Sequence, residues 1–304
     1  MKLLTTGAWK ASTEQLDELR ELGHEIIWHQ QEAEPLPCAY EEIEGAICNG
    51  LFLYHPIEKF TSLRYIQLTS AGYDRVPLKY IQEHGIEIHN ARGVYSIPMA
   101  EHVIGCVLSI YRKLFNFKDF QRAGKWEKIR ELEELYGKRV LILGCGNIGT
   151  ECAKRFKAFE CKVTGLDISL QTVHPEYDEL KHISNLKQVL PEQDIVVVAL
   201  PLTEATKNLL NAETLKLLPD GATLCNIARG EVINQSALEK ELISGRLSAG
   251  LDVFEKEPLA AENPLWQLQN VIITPHNSFV GSGTEKRLFN VFTSNLKIFG
   301  KDVL

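Results

Sequence analysis

No stretch of this 304-residue chain is apolar enough to span a bilayer, which takes about 20 consecutive residues. A membrane-spanning helix is therefore excluded. The opening residues, MKLLTTGAWK, hold only two consecutive leucines before polar residues and lack the apolar core of a secretory signal, so a cytoplasmic location is expected. Paired cysteine spacing is missing too: Cys38, Cys48, Cys106, Cys145, Cys152, Cys161 and Cys225 form no CxxC and mostly sit inside apolar patterns. Buried reduced thiols are expected rather than a disulfide framework, and no metal site is expected. Nor is there an excess of positive charge. With 33 Lys and Arg against 40 Asp and Glu, the chain is unsuited to a broad nucleic-acid surface, and an anionic ligand would have to be held by a local site. Internal repeats and low-complexity tracts are absent. What is present is the composition of a globular protein, 44% hydrophobic and 24% charged, long enough for two domains with separate cores.

The stretch from Lys138 to Asp167, KRVLILGCGNIGTECAKRFKAFECKVTGLD, reads as strand, glycine turn, helix and strand. Its apolar run Val140–Leu143 suits a strand buried on both faces of a parallel sheet. Gly144, Gly146 and Gly149 then supply GxGxxG. The first allows a tight turn, the second lets backbone approach a pyrophosphate, and the third lets the helix pack closely on the strand. The N–H groups at the start of that helix, at Asn147 and Ile148, would face the phosphates. The next strand, Cys161 to Leu166, ends at Asp167, about 20 residues past the turn, where a carboxylate can accept hydrogen bonds from ribose hydroxyls. Neither Ile168 nor Ser169 brings positive charge for a 2′-phosphate, so the cofactor is read as NAD rather than NADP. The competing reading, a glycine-rich turn without a ligand, loses ground because strand, helix and acid all stand at the required spacing.

The remaining chain alternates strand and helix signals. Residues 1 to about 97 carry strands at Lys2–Thr6, His24–His29, Gly45–Cys48, Tyr65–Leu68 and Ile86–His89, with helices at Ser12–Leu22 and Leu78–Glu83. Its first strand is followed by Thr5, Thr6, Gly7 and Ala8 rather than GxGxxG, so this is not the nucleotide lobe. The small residues Thr69 to Asp74 form a turn that is either an anion-binding nest or an ordinary strand-to-helix loop. From Ser96 the spacing of Met99, Val103, Cys106, Val107, Ile110, Leu114 and Phe117 predicts one long helix ending at Gly124, followed by a solvated connector, Glu127 to Glu134. Beyond the glycine turn, strands are expected at Ile195–Ala199, Thr223–Ile227, Leu247–Val253 and Val271–Thr274, with helices at Ala212–Leu218 and Gln235–Ser244. The result is a doubly wound sheet. An amphipathic helix from Gly283 to Gly300 is expected to return to the first lobe.

Ligands of open parallel sheets sit at the carboxyl ends of the strands. Three charged positions follow strand-like runs: Arg229, the pair Asp252 and Glu257, and His276. Singly, each has a bland alternative, as an ion-pair partner, a surface charge and a satisfied loop histidine. Together, at the edge that carries the glycine turn, they suit redox chemistry on a small acid. A planar guanidinium grips a carboxylate bidentately while an imidazole moves a proton.

The chain resembles the D-isomer-specific 2-hydroxyacid dehydrogenase family over nearly its whole length. The resemblance lies in TSAGYD (Thr69 to Asp74), SIPMAEHVIG (Ser96 to Gly105), GCGNIG (Gly144 to Gly149), ALPLTEAT (Ala199 to Thr206), NIARGEVIN (Asn226 to Asn234), GLDVFEKEPL (Gly250 to Leu259) and TPHNS (Thr274 to Ser278). It implies an α/β fold of two Rossmann-like lobes, a doubly wound NAD-binding domain (98–279) inserted into a smaller flavodoxin-like substrate-binding domain (1–97 and 280–304). It also implies NAD(H)-dependent reduction of a small 2-keto acid to the D-2-hydroxy acid, by a homodimer with no nucleic-acid or membrane partner. By the same resemblance Arg229 binds the substrate carboxylate and carbonyl, His276 is the acid/base, and Glu257 is its partner, preferred over Glu255 because it directly precedes proline. Leu200, Pro201 and Ile227 would line the cofactor site, Asp252 would meet the nicotinamide carboxamide, and Ser70, Ala71 and Gly72 would hold the substrate carboxylate, which favours the nest over the idle loop. Phe279 and Tyr73 are candidates for shaping the pocket. The alternative is an NAD(H)-sensing regulatory protein on the same fold, a reading that intact Arg229, Glu257 and His276 weigh against.

Overall fold

The computed structural model describes residues 1–169 and 175–299. In chain order the elements are β1 (Lys2–Thr6), α1 (Thr13–Glu21), β2 (Glu25–His29), β3 (Gly45–Cys48), β4 (Tyr65–Leu68), α2 (Leu78–Glu83), β5 (Glu87–His89), α3 (Ser96–Tyr111), α4 (Leu114–Arg122), β6 (Arg139–Leu143), α5 (Asn147–Ala158), β7 (Lys162–Asp167), β8 (Glu179–His182), α6 (Leu186–Val189), β9 (Ile195–Val198), α7 (Ala212–Leu215), β10 (Thr223–Asn226), α8 (Gln235–Ile243), β11 (Ser248–Leu251), β12 (Val271–Ile273) and α9 (Thr284–Ile298). They form two compact units, one of Met1–Tyr95 with the chain from Gly281 onward, the other of Ser96–Val280.

The first unit is a five-stranded parallel sheet in the order β2-β1-β3-β4-β5, the flavodoxin-like arrangement. Its inner strands β3 and β4 are buried at every residue, as continuous apolar runs covered on both faces must be. Helix α9 belongs to this unit. Its Leu288, Phe289, Phe292 and Leu296 pack with Leu3, Trp9 and Tyr65, and the Trp9 ring meets Phe292 edge-on at 5.2 Å. Burying one such side chain contributes about 1.5–3 kcal/mol, so α9 is held mainly by this apolar stripe. The end anticipated for it at Gly300 lies outside the described residues.

The second unit is a seven-stranded parallel sheet, β12-β11-β10-β9-β6-β7-β8. The order reverses at β6, whose neighbours are β7 on one side and β9 on the other. Alternation along β6 builds both cores: Val140 and Ile142 pack with Val103, Val107, Cys152 and Phe156 of α3 and α5, while Leu141 and Leu143 pack with Leu215, Leu238 and Leu242 of α7 and α8. The α/β class and the doubly wound sheet are thus as the sequence implied. All seven cysteines are free thiols, and all but Cys38 are buried. Among the described residues no helix is long and apolar enough to cross a membrane.

Two expectations are corrected. The single helix from Ser96 to Gly124 is two helices, broken where Lys113 takes the left-handed conformation at φ 51°. The Tyr111 carbonyl accepts instead from the Glu133 N–H (3.2 Å), and Arg112 donates to the Glu133 carbonyl (3.2 Å), so the connector captures the helix end. Apolar spacing alone could not report this contact. Strand β8 was not anticipated at all: it is an edge strand, ELKH, whose partly exposed polar residues carry no apolar pattern.

Candidate active site

Strand register sets the frame of the site. Leu166, Leu143, Val198, Asn226, Leu251 and Ile273 pair in sequence across the sheet as one row. From that row Asp167, Gly144 and Asp252 follow by one residue, Leu200 by two, and Arg229 and His276 by three. Residues scattered over more than a hundred positions therefore leave a single edge of one sheet.

The glycine turn fits a dinucleotide. Gly144 has φ +95°, and a Cβ there would lie 2.7 Å from the Ala199 carbonyl oxygen; at Gly149 it would lie 2.0 Å from the Gly144 oxygen. Both glycines are demanded by the protein's own backbone. A Cβ on Gly146 would meet nothing within 4 Å, so this glycine faces open space at the start of α5, where N–H groups and helix dipole favour a phosphate. Asn147 is exposed and Ile148 half-buried on the first turn of α5. Asp167 is anchored beside them: its Oδ2 accepts the Cys145 N–H (2.7 Å) and its Oδ1 the Ser169 N–H (3.1 Å). A carboxylate offers about four acceptor positions, so ribose hydroxyls still find acceptors there. Leu200 and Ile227 are buried and Pro201 is exposed, on the loops after β9 and β10. The Pro201 carbonyl is tied by the Thr206 hydroxyl (2.6 Å).

The chain after β10 turns sharply before Arg229. The Asn226 side chain staples it, accepting from the Ala228 N–H (3.1 Å) and donating to the Arg229 carbonyl (3.0 Å). Arg229 is exposed, and its Nη1 donates to the Ala228 carbonyl (2.7 Å).

His276 and Glu257 meet directly, Nδ1 lying 2.9 Å from Glu257 Oε2, while Oε1 of the same carboxylate accepts the Phe254 N–H (3.1 Å). Their side chains are 42% and 38% exposed, where an ion pair is worth about 0–1 kcal/mol. The pair therefore contributes orientation more than stability. Because a carboxylate only accepts, Nδ1 carries a proton, and Nε2 is left as the nitrogen that exchanges one. The Phe279 ring stands edge-on to the imidazole at 6.3 Å.

Asp252 is fully buried and built into the histidine's turn. Its Oδ1 accepts the Thr274 hydroxyl (2.5 Å) and the Asn277 N–H (2.7 Å), its Oδ2 the Ser278 N–H (2.9 Å), and its own carbonyl the His276 N–H (2.8 Å). Burial pushes the Asp252 carboxyl up, but the hydrogen bonds from Ser278, Thr274 and Asn277 outweigh it and leave the group below the ordinary aspartate range. His276 itself sits at φ +50°. A left-handed non-glycine residue costs about 1–3 kcal/mol, and the contacts with Asp252 are what hold it there.

The loop Ser70–Gly72 belongs to the first unit. Its carbonyls are all engaged: Thr69 by the Tyr95 hydroxyl, Ser70 by the Ala91 N–H (2.9 Å), Ala71 by the Asn90 amide (2.7 Å) and Gly72 by the Ser70 hydroxyl (3.0 Å). Among the described residues none accepts from the N–H groups of Ser70, Ala71 or Gly72.

Sequence reasoning missed three contributors: Asn226, which staples the Arg229 turn, Gly230, and the Thr274 hydroxyl. Each stood inside a quoted motif, NIARGEVIN or TPHNS, but small polar residues and lone glycines give no signal of the contacts they make, whether within their own turn, as for Asn226, or 22 or more positions away, as for Thr274 and Gly230.

Residues 104–278 match the family model for the D-isomer specific 2-hydroxyacid dehydrogenase, NAD binding domain. A hydroxypyruvate reductase of Thermotoga maritima is 35% identical over 232 residues, 75% of this chain and 74% of that protein. A glyoxylate reductase of Pyrococcus furiosus is 35% identical over 272 residues, 85% of this chain and 80% of that protein. Among solved structures, a D-isomer specific 2-hydroxyacid dehydrogenase from Xanthobacter autotrophicus, in complex with NADPH and MES, superimposes with a TM-score of 0.79 at 27% identity, covering 98% of this chain and 94% of that one.

Proposed function

The chain belongs to the D-isomer specific 2-hydroxyacid dehydrogenase family, and from that premise we propose an NADH-dependent reductase of a small 2-keto acid, yielding the D-2-hydroxy acid. The observation that carries the reading is the His276–Glu257 hydrogen bond at the same sheet edge as the glycine turn. Glyoxylate and hydroxypyruvate, the acids for which the two relatives are named, are the first substrates to test.

A bound NADH would supply the hydride. As negative charge grows on the carbonyl oxygen, the Arg229 guanidinium stabilises it and His276 delivers a proton from Nε2. Glu257 holds the imidazole by Nδ1 and so fixes the direction in which Nε2 points. The unengaged N–H groups of Ser70, Ala71 and Gly72 are suited to a carboxylate, which supports reading the first unit as the substrate-binding one. Asp252, expected to meet the carboxamide, has both oxygens engaged by the histidine turn and acts at least as its anchor.

For the cofactor, Asp167 supports NAD, since a 2′-phosphate beside it meets like-charge repulsion on the order of a few kcal/mol. From Ile168 to His174 the sequence brings no Lys or Arg to offset that charge. A homodimer in the cytoplasm is the assembly we favour. It is supported by apolar side chains left exposed on α4 and just beyond its end, Leu114, Phe115 and Trp126, the last 97% exposed.

The test is NADH and NADPH consumption with glyoxylate, hydroxypyruvate and pyruvate, alongside NADH binding. Turnover with NADH favoured is expected. Binding without turnover on any keto acid would replace the enzyme by a dinucleotide sensor.

A further inference from the structure

We propose that His102 of α3 is a positioning residue for the reduction, acting through the Thr274 hydroxyl on the Asp252 carboxylate from which the His276 turn hangs. The inference rests on reading His276 as the acid/base.

The Thr274 hydroxyl has a single hydrogen, and the Asp252 carboxylate 2.5 Å away can only accept it. His102 Nε2 lies 3.3 Å from the same hydroxyl oxygen, so in this contact the imidazole must donate. This fixes the tautomer: Nε2 carries the proton. Cys106, one turn further along α3, has its Sγ 3.4 Å from the same nitrogen and can share the N–H as a weak acceptor. Burial keeps that thiol protonated by pushing it up to about 12, and burial holds His102 below the ordinary histidine range although the Asp252 charge acts in the opposite sense. The imidazole at the end of the chain is thus a neutral, directed donor.

Each link then constrains the next. The His102 donor occupies a Thr274 lone pair and leaves the hydroxyl hydrogen pointing at Asp252 Oδ1. That carboxylate holds the Asn277 and Ser278 N–H groups, while the backbone of Asp252 and Thr274 accepts from the His276 N–H (2.8 and 3.1 Å). His276 is therefore held on both sides by groups whose orientation traces back to α3. Proton delivery requires the imidazole to stand within hydrogen-bond reach of the reacting oxygen, so a loosened turn slows the chemical step before it weakens cofactor binding at the separate glycine turn.

The experiment has two arms on the full-length protein. In the first, ¹⁵N-histidine spectra, with His102 assigned from its loss in His102→Gln, should show Nε2 protonated and Nδ1 bare. The His276 ring signals should move in Thr274→Val and return in Thr274→Ser. In the second, His102→Leu and Thr274→Val should each slow single-turnover hydride transfer roughly tenfold with the NADH Kd changed less than about twofold, while His102→Gln and Thr274→Ser recover to within about threefold. A proton on Nδ1, an unmoved His276 signal in Thr274→Val, or equal losses in the disruptive and conservative variants would overturn the proposal. If the wild-type protein reduces no keto acid, the functional reading fails instead, and the spectra still decide the hydrogen-bond chain.

Discussion

Gly230 lies so close to Phe254 that a Cβ on it would fall 1.8 Å from the Phe254 carbonyl carbon and 2.1 Å from its oxygen. Gly230 directly follows Arg229, and Phe254 donates its N–H to Glu257, so this contact locks the arm carrying the guanidinium against the arm carrying the histidine's partner. Backbone cannot yield as a flexible side chain can. Gly230→Ala should cost at least about 1–3 kcal/mol, the usual scale for overpacking, and should lower activity as well. Urea unfolding and turnover measured together check this, and wild-type values in both would show that the two arms are not rigidly joined.

Gly146→Ala should behave oppositely. A Cβ there touches nothing within 4 Å, so stability should stay within about 0.5 kcal/mol of wild type while NADH affinity falls roughly tenfold or more. Fluorescence titration with NADH is the measurement. Undiminished affinity would mean that the cofactor does not approach this backbone.

Arg229→Lys keeps a positive charge but loses the planar fork. Keto-acid reduction should fall about 100-fold or more, the scale of one lost preorganised contact, with NADH binding nearly unchanged. Near wild-type turnover in this variant would remove Arg229 from the mechanism.

His276→Ala should slow reduction and oxidation alike, by about 100-fold or more, and Glu257→Gln should slow the hydride step by releasing the ring that its carboxylate fixes at 2.9 Å. Reduction consumes a proton held by the imidazole and oxidation needs the bare nitrogen, so the two directions should respond oppositely to rising pH. Rapid-mixing rates across pH test this without interference from product release. If Glu257→Gln changes neither direction, neighbouring Glu255 becomes the partner to examine.

Asp252 links the site to acid stability. Its carboxyl lies below the ordinary range in the folded protein, so its contribution is fully present above the unfolded value of about 3.9 and is lost as pH falls through the lower folded value. Asp252→Asn should cost about 1.5–3 kcal/mol near pH 7, the scale of hydrogen bonds to a charged group. The difference from wild type should then shrink below about pH 4. Denaturation across that range decides it, and a difference independent of pH would show that the charge is not what Thr274, Asn277 and Ser278 stabilise.

What the sequence determined by itself was local. Val140–Leu143 is apolar because both faces of β6 are covered, and alternate residues serve the two cores whatever the neighbouring strands are. Gly144 and Gly149 are legible for the same reason, since a turn that leaves no room for a Cβ restricts residue type at its own position. Arg229, Glu257 and His276 could be named as charges after strand-like runs, but only the register Asn226–Leu251–Ile273 brings their strand ends to one row. The tertiary structure alone decided that Lys113 breaks the long helix, that polar ELKH becomes an edge strand, and that Asp252 binds the turn of His276 rather than facing solvent. In each of these cases the deciding hydrogen bond comes from a segment 15 or more residues away, and such a bond imposes no periodicity or composition on the residues that receive it.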